Sequence, residues 1–288
     1  MVGHYLQVSG ARCRPASRQQ DFALATLSLT QPAGGFRIER FRRFIPPLVI
    51  VLLWQAGSSV GLIPARSIAS PATIIATFWT LLASGELLQH LLVSLGRVTA
   101  GLAIGVTTGA GLALVAGLSR RGEDLVDATM QMLRTLPFLA LVPLFILWFG
   151  IGETPKIALV ALGSAFPIYL TLFAGIRGVD AKLVEAASVF GLSQRELVRQ
   201  VILPGALPSA LVGLRYSLGS AWLSLVIGEQ INASSGIGYL VMTARDFLRT
   251  DIIFVGLIVY ALLGLGADQL VRAIERSVLR WRPSFVKE

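Results

Sequence analysis

The sequence predicts an all-α membrane protein with six transmembrane helices. Three observations carry that expectation. Hydrophobic residues make up 54% of the 288 and charged residues only 14%, against about 25% charged in an ordinary soluble domain. Mean hydropathy is +0.71. The apolar residues also fall in runs close to the roughly 20 that a helix needs to cross a bilayer. The 29 glycines suit helices that pack closely in lipid.

The elements follow in order. Residues 1–43 are polar, carry seven arginines and lack the apolar core of a secretory signal peptide, so they are expected to form a flexible cytoplasmic tail. The membrane-spanning body is expected over 44–275, and 276–288 as a second cytoplasmic tail. The expected spans are 44–63, about 91–117, about 134–151, 157–176, about 207–231 and about 252–271. The third is short, and the amphipathic stretch LVDATMQML before it is a candidate to lengthen it. Between the first two spans, 70–88 is only moderately apolar, and its Ser70-Pro71 start suits a helix beginning. It is expected to lie along the outer surface. In the second span Gly101, Gly105 and Gly109 are four apart and form one flat helix face, for packing inside one subunit or for a dimer contact. Pro137, Pro143 and Pro167 can each bend a helix by removing a backbone donor.

The 25 Lys and Arg residues are unevenly placed. Residues 1–43, the loops 118–124 and 177–206, and the stretch after 271 hold 18 of them, while the opposite loops hold Arg66, Lys156, Arg245 and Arg249. By the positive-inside rule both termini are cytoplasmic. This also accounts for the net charge of +9 without nucleic acid. Cys13 is a lone cysteine, which excludes an internal disulfide, and His4 and His90 are too few for a histidine metal site. No lysine follows a glycine, so there is no phosphate-cradling loop, and any ATP must bind another chain.

The stretch 180–208, DAKLVEAASVFGLSQRELVRQVILPGALP, reads as two short helices. Asp180 caps the first. Leu183, Val184, Ala187 and Phe190 recur at helical spacing. Gly191 is the residue type that ends a helix in the left-handed conformation. Ser193 and Glu196 form a capping box for the second helix, and Pro204 is expected to end it. Such a hairpin either packs under the bundle or forms a rigid knob, with Glu185 as a register charge and Ala186 and Ala187 as a smooth face.

This stretch resembles the cytoplasmic-loop signature of ABC importer permeases, E-A-A-x3-G-x9-I-x-L-P. Glu185, Ala186, Ala187 and Gly191 match, nine residues intervene, and Val201, Leu203 and Pro204 follow, with Val201 standing for isoleucine. The resemblance implies a coupling helix that docks on a cytoplasmic ABC ATPase dimer. It also implies a permease homodimer in the bacterial inner membrane, surrounded by lipid, and an extracytoplasmic substrate-binding protein. ATP and Mg2+ would sit on the partner ATPase, with no cofactor, metal or catalytic residue on this chain. Over 44–283, pieces such as LALVPLFILWFGIGETPKIALVALGSAFPIY and ARDFLRTDIIFVGLIVYALLGLGAD look like sulfonate, taurine and nitrate importer permeases, and most like those for aliphatic sulfonates. The resemblance therefore implies uptake of sulfonates as a sulfur source.

Ionisable residues inside spans invite functional readings. Arg97, early in the second span, and Glu229, late in the fifth, either pair across the bundle or line the path. Asp268 and Arg272 are one turn apart and are expected to pair. Two other function classes compete. Gly57-Ser58-Ser59-Val60-Gly61 fits the G-x-S-x-G hydrolase pattern, but it lies at the end of an apolar span and lacks a plausible histidine base. A stand-alone channel or secondary carrier would place acids mid-membrane or show inverted repeats, and the sequence does neither.

Overall fold

The computed structural model describes residues 45–64 and 67–280; the tail expected over 1–43 and the last residues, 281–288, lie outside them. Of two compact units, Met1–Val49 contributes only the start of the first helix to the described residues, and Ile50–Glu288 holds the rest. Among the described residues all regular structure is helical.

The first helix, α1, covers Ile45–Ser59. At 1.5 Å per residue it is about 22 Å long, short of the roughly 30 Å hydrocarbon core. It ends in a turn where Gly61 has φ +79°, so the expected span of 44–63 is shorter as a helix. Helix α2, Pro71–Ala83, begins where the sequence indicates: Ser70 accepts from Thr73 N and Pro71 occupies the first turn. It buries Ile74 and Leu81 and donates from Thr77 Oγ1 to Asp251 Oδ2 at 2.8 Å.

Helix α3, Glu86–Leu118, is 33 residues long. It meets α4, Arg120–Arg134, at a tight corner where Ser119 accepts from Gly122 N at 2.9 Å. Helix α5 then covers Phe138–Phe149. The expected third span is thus not one helix. Pro137 lacks an N–H and disfavours a helical residue before it, which separates α4 from α5. The two pieces run antiparallel to α6, Thr154–Arg177. Glu123 pairs with Arg177, Tyr169 donates to Asp127 at 3.0 Å, Met130 packs with Phe166, and Phe145 packs with Leu159. The amphipathic stretch does lengthen the third segment, as a separate helix beyond a break.

Helix α6 is central. Its contacts with α3 advance in parallel, from Gly101 against Val160 to Gly117 against Ile176. A Cβ on Gly105 or Gly109 would collide with the backbone carbonyls of Ala161 and Ala165. The glycine face therefore packs within this chain.

After α7, Ala181–Val189, and α8, Gln194–Leu197, a π-helical turn over Val198–Ile202 leads into α9, Leu203–Asn232. Pro204 does not end the helix, contrary to the sequence expectation. A proline ring clashes with the carbonyl four residues earlier, and a wider π turn accommodates it. The backbone is helical from Gln194 to Ile231. Helix α9 runs antiparallel to α6: Gly175 faces Ser209, Gly213 faces Ile168, and Ser217 Oγ donates to Ser164 O at 2.7 Å.

Two helices complete the chain, α10 (Ile237–Asp246) and α11 (Thr250–Val278). The latter runs past the expected boundary at 275. The sequence reading treated α10 as loop. Its Ile237, Leu240 and Ala244 are buried with Ile252, Val255 and Val259 of α11 and with Ile74 and Leu81 of α2. Four described helices are long and apolar enough to cross a membrane: Glu86–Leu118, Thr154–Arg177, Gln194–Ile231 and Thr250–Val278.

Candidate functional site: a helical hairpin and a buried charge cluster

The hairpin is built by local rules. Asp180 Oδ1 accepts from Lys182 N at 2.9 Å and starts α7. At its end Gly191 has φ +81°. The Gly191 N–H donates to Ser188 O at 3.0 Å and Leu192 N–H to Ala187 O at 3.2 Å, the paired bonds of a Schellman cap. No neighbour lies within 4 Å of a Cβ built there, so the backbone angle alone demands glycine. Ser193 and Glu196 then form both halves of the capping box, with Ser193 N donating to Glu196 Oε2 at 2.8 Å.

These caps hold an exposed apolar surface. Val189 is 86% exposed, Phe190 84% and Leu183 59%. Glu185 and Ala186 are exposed beside them. Ala187 is buried and faces its own chain, so it supports the hairpin rather than its outer face. Val201 and Pro204 are half-buried in and after the π turn, and Leu203 is exposed. The outer surface is a knob on which these apolar side chains stand beside the exposed Lys182, Glu185 and Ser188.

The second cluster joins α3, α6, α9 and the turn before α10. Arg97 and Glu229, both buried, pair at 2.7 Å. Arg97 also pairs with Glu153 and donates to Ser235 O at 2.6 Å. Glu229 accepts from Ser94 Oγ at 2.7 Å and Gly238 N at 2.8 Å. Ser94 Oγ in turn accepts from Ile237 N, and His90 Nδ1 accepts from Gly236 N. Lys156, also buried, pairs with Glu153 at 3.1 Å. Two cations thus face two carboxylates.

Glu153 lies in the loop before α6. The Arg97 guanidinium, donating to it, holds its carboxyl down at about 2, with Lys156 helping and partial burial opposing. At Gly236, φ is +113° and a Cβ would meet the Glu229 carboxyl, which explains the glycine. The cluster pins the α9–α10 turn to α3. Sequence reasoning singled out Arg97 and Glu229 but missed Ser94, Glu153, Ser235, Gly236 and Gly238. One available signal was Ser94 and Arg97, three apart on one face of α3.

The remaining motifs are ordinary structure. Ser59 of the G-x-S-x-G pattern ends a helix and donates to Ala56 O at 2.8 Å, and His90 is engaged with Gly236; no strand-to-helix nucleophile turn exists there. Arg272 and Asp268 pair at 2.7 Å, and Arg215 joins them, at 3.2 Å from Asp268 and 2.6 Å from Glu275.

Residues 101–280 match the family of binding-protein-dependent transport system inner membrane components. The chain belongs to that family. It is 54% identical over 239 residues to an Escherichia coli (strain K12) permease protein named for aliphatic sulfonates transport, covering 83% of this chain and 91% of that protein. A Bacillus subtilis (strain 168) protein of the same name is 47% identical, covering 88% and 91%. The taurine transport system permease of Escherichia coli is 34% identical, covering 81% and 86%. Among solved structures, an amino acid ABC transporter with histidines matches with TM-score 0.55 at 21% identity, covering 70% of this chain and 96% of that one. An inward-facing methionine ABC transporter matches with TM-score 0.52 at 20% identity, covering 63% and 92%. At these identities the structures establish the fold. The chain is a multi-pass transport permease, not an enzyme, and neither the hydrolase nor the stand-alone carrier reading is favoured.

Proposed function

We propose that this chain is the permease subunit of an ABC importer that moves aliphatic sulfonates inward as a sulfur source. The observation that carries the reading is the 54% identity to a permease named for aliphatic sulfonates, extending over 91% of that protein. The hairpin fits the same reading. Its exposed Leu183, Val189 and Phe190, with Glu185 and Ala186 beside them, form the knob on which a cytoplasmic ATPase dimer docks. That partner holds ATP and Mg2+. A rigid hairpin continuous with α9 passes the closure of the ATPase to the membrane helices.

The permease works as a homodimer in lipid, and an extracytoplasmic binding protein delivers the substrate. The 18-to-4 bias of basic residues supports cytoplasmic termini and an even number of spans. Six are reached by counting α1 and the broken α4–α5 segment with the four long helices. Residues 1–43 are then a cytoplasmic tail.

The test is uptake of labelled ethanesulfonate in cells lacking this chain, with and without its restoration, competed by longer alkanesulfonates, taurine and nitrate. Restored uptake blocked by alkanesulfonates but not by nitrate is expected. No restored uptake, with the ATPase still bound, moves the cargo to taurine, nitrate or another small solute.

A further inference from the structure

Within the spans, one described cation has no counter-charge. Arg134 ends α4, is exposed, and makes no ion pair or hydrogen bond among the described residues. It lines a groove of about 420 Å³ with Gly163, Pro167 and Thr171 of α6 and Tyr216 and Ser220 of α9. No carboxylate lines that groove. Elsewhere in the body, Arg97, Lys156, Arg177, Arg215 and Arg272 each face an acid.

Position makes this cation unusual. Helix α4 climbs beside α6 in the register Glu123–Arg177, Asp127–Tyr169 and Met130–Phe166. That register brings Arg134 level with Gly163 to Pro167, about 14–20 Å from either end of α6 at 1.5 Å per residue. Tyr216 and Ser220 lie near the middle of α9 by the same measure. An arginine at that depth is costly, and it persists where it faces water or a ligand. The helix dipole at the end of α4 supplies only about half a charge, which leaves the guanidinium largely uncompensated.

Other polar residues line the same groove. Thr171 has its proton engaged with Pro167 O at 2.8 Å. The hydroxyls of Tyr216 and Ser220 carry no hydrogen bond among the described residues, and Tyr216 is 62% exposed. A guanidinium fork and two free hydroxyls match an oxyanion of three equivalent oxygens, while Phe166 and Leu170 offer apolar wall to a short alkyl chain.

We infer that the groove formed by Arg134, Tyr216 and Ser220 is an anion-binding station midway along the permease, where the sulfonate head group pauses in transit. The inference rests on the proposed sulfonate cargo, and its test has two separable arms.

The first arm needs no knowledge of cargo. In the assembled transporter, Cys13→Ser removes this chain's one native thiol and Ser220→Cys introduces another. Its reaction rates with sulfonatoethyl and trimethylammonioethyl methanethiosulfonate are compared. The anionic-to-cationic rate ratio is expected to fall about fivefold or more on adding Arg134→Gln, and to survive Arg134→Lys. An unchanged ratio, or a thiol that neither reagent reaches, overturns the proposal.

The second arm measures ethanesulfonate uptake by the transporter in liposomes. Arg134→Gln is expected to lower it about tenfold and Arg134→Lys to retain most of it, at equal amounts of assembled transporter. Undiminished uptake overturns the proposal. If the unaltered transporter moves no sulfonate, the cargo reading fails and the thiol ratio still decides the anion site.

Discussion

Arg97 Nη1 lies 2.7 Å from Glu229 Oε1, joining residues 132 apart in sequence, and both side chains are almost wholly buried. The pair does more than neutralise two charges. Glu229 also takes the N–H of Gly238, and Arg97 takes the carbonyl of Ser235. The turn between α9 and α10 therefore has its backbone groups satisfied by side chains of α3 and α9. A buried pair like this is weak evidence for stability, because desolvation opposes the attraction. It is stronger evidence for a fixed arrangement, since removing either partner leaves buried hydrogen-bonding atoms of the other unmatched.

Glu229→Leu is expected to destabilise the protein by about 3–5 kcal/mol, because Arg97 then keeps only Glu153 as a counter-charge. The double variant Arg97→Met/Glu229→Leu should lose less than the sum of the two single changes, by about 0.5–3 kcal/mol. Thermal unfolding of the detergent-solubilised protein measures all four corners of the cycle. Strict additivity would show that the two side chains do not act as a pair.

The glycines of α3 divide into two kinds. A Cβ at Gly105 would overlap Ser164 Oγ and the Ala161 carbonyl, whereas a Cβ at Gly111 meets nothing within 4 Å. Gly105→Ala should cost about 1–3 kcal/mol by overpacking. Gly111→Ala should be neutral or stabilising by about 0.5–1 kcal/mol, since alanine is the better helix former. The contrast is read from thermal stability and from the yield of folded protein. Equal effects at both positions would mean that α3 does not pack on α6 along this face.

Most of the hairpin was legible in the sequence because its signals are local. Asp180, Gly191, Ser193 and Glu196 each act within three residues on the backbone, so spacing alone reveals them. Pro204 misled for the opposite reason. Its ring forbids a regular α-turn, but the chain answers with a π turn over Val198–Ile202, which no local pattern announces. The break at Pro137 was visible as a proline, yet not as two helices laid end to end along α6. Arg97 and Glu229 stood out as charges in apolar runs. Glu153 did not, because it sits in a loop, and only the fold brings it to Arg97. Arg134 carries no local signal either, because only the register of α4 against α6 places it at mid-depth.

Gly191→Ala tests the hairpin's geometry apart from its packing. The site has room for a methyl group, but φ is +81°, which costs an L-residue about 1–2 kcal/mol. The strain is confined to the corner, so membrane insertion and overall unfolding temperature should change little. Co-purification of the ATPase should weaken as the knob loses its shape. Gly191→Asn, which tolerates the left-handed region better, should fall between the two. ATPase retention by Gly191→Ala equal to that of the parent would remove the corner from the docking surface.

Glu185→Ala probes the charge on the same knob. Its side chain is exposed on α7 and no cap depends on it, so folding and insertion should be unaffected. On the proposed docking of α7, transport per ATP hydrolysed should drop with the loss of this exposed carboxylate. Uptake and ATP hydrolysis are measured together in liposomes. Normal values of both would assign Glu185 no part in coupling.

The acid behaviour of the Arg97 cluster follows from Glu153. Its carboxyl is held from an ordinary 4.5 down to about 2, chiefly by the hydrogen bond from Arg97. A depressed folded value means that the unfolded chain binds the proton more tightly. The stabilisation is therefore fully present above the unfolded value and is lost as pH falls from 4.5 toward 2. Because the Glu153 side chain is 54% exposed, salt should weaken the effect. Unfolding temperature measured from pH 7 down to the acid limit should decline below about pH 4.5, and Glu153→Gln should flatten part of that decline. At pH 7 the same substitution should lower stability, since Lys156 and Arg97 are left with Glu229 as their only nearby acid. An identical acid profile in the variant would mean that Glu153 is not the group whose protonation loosens the cluster.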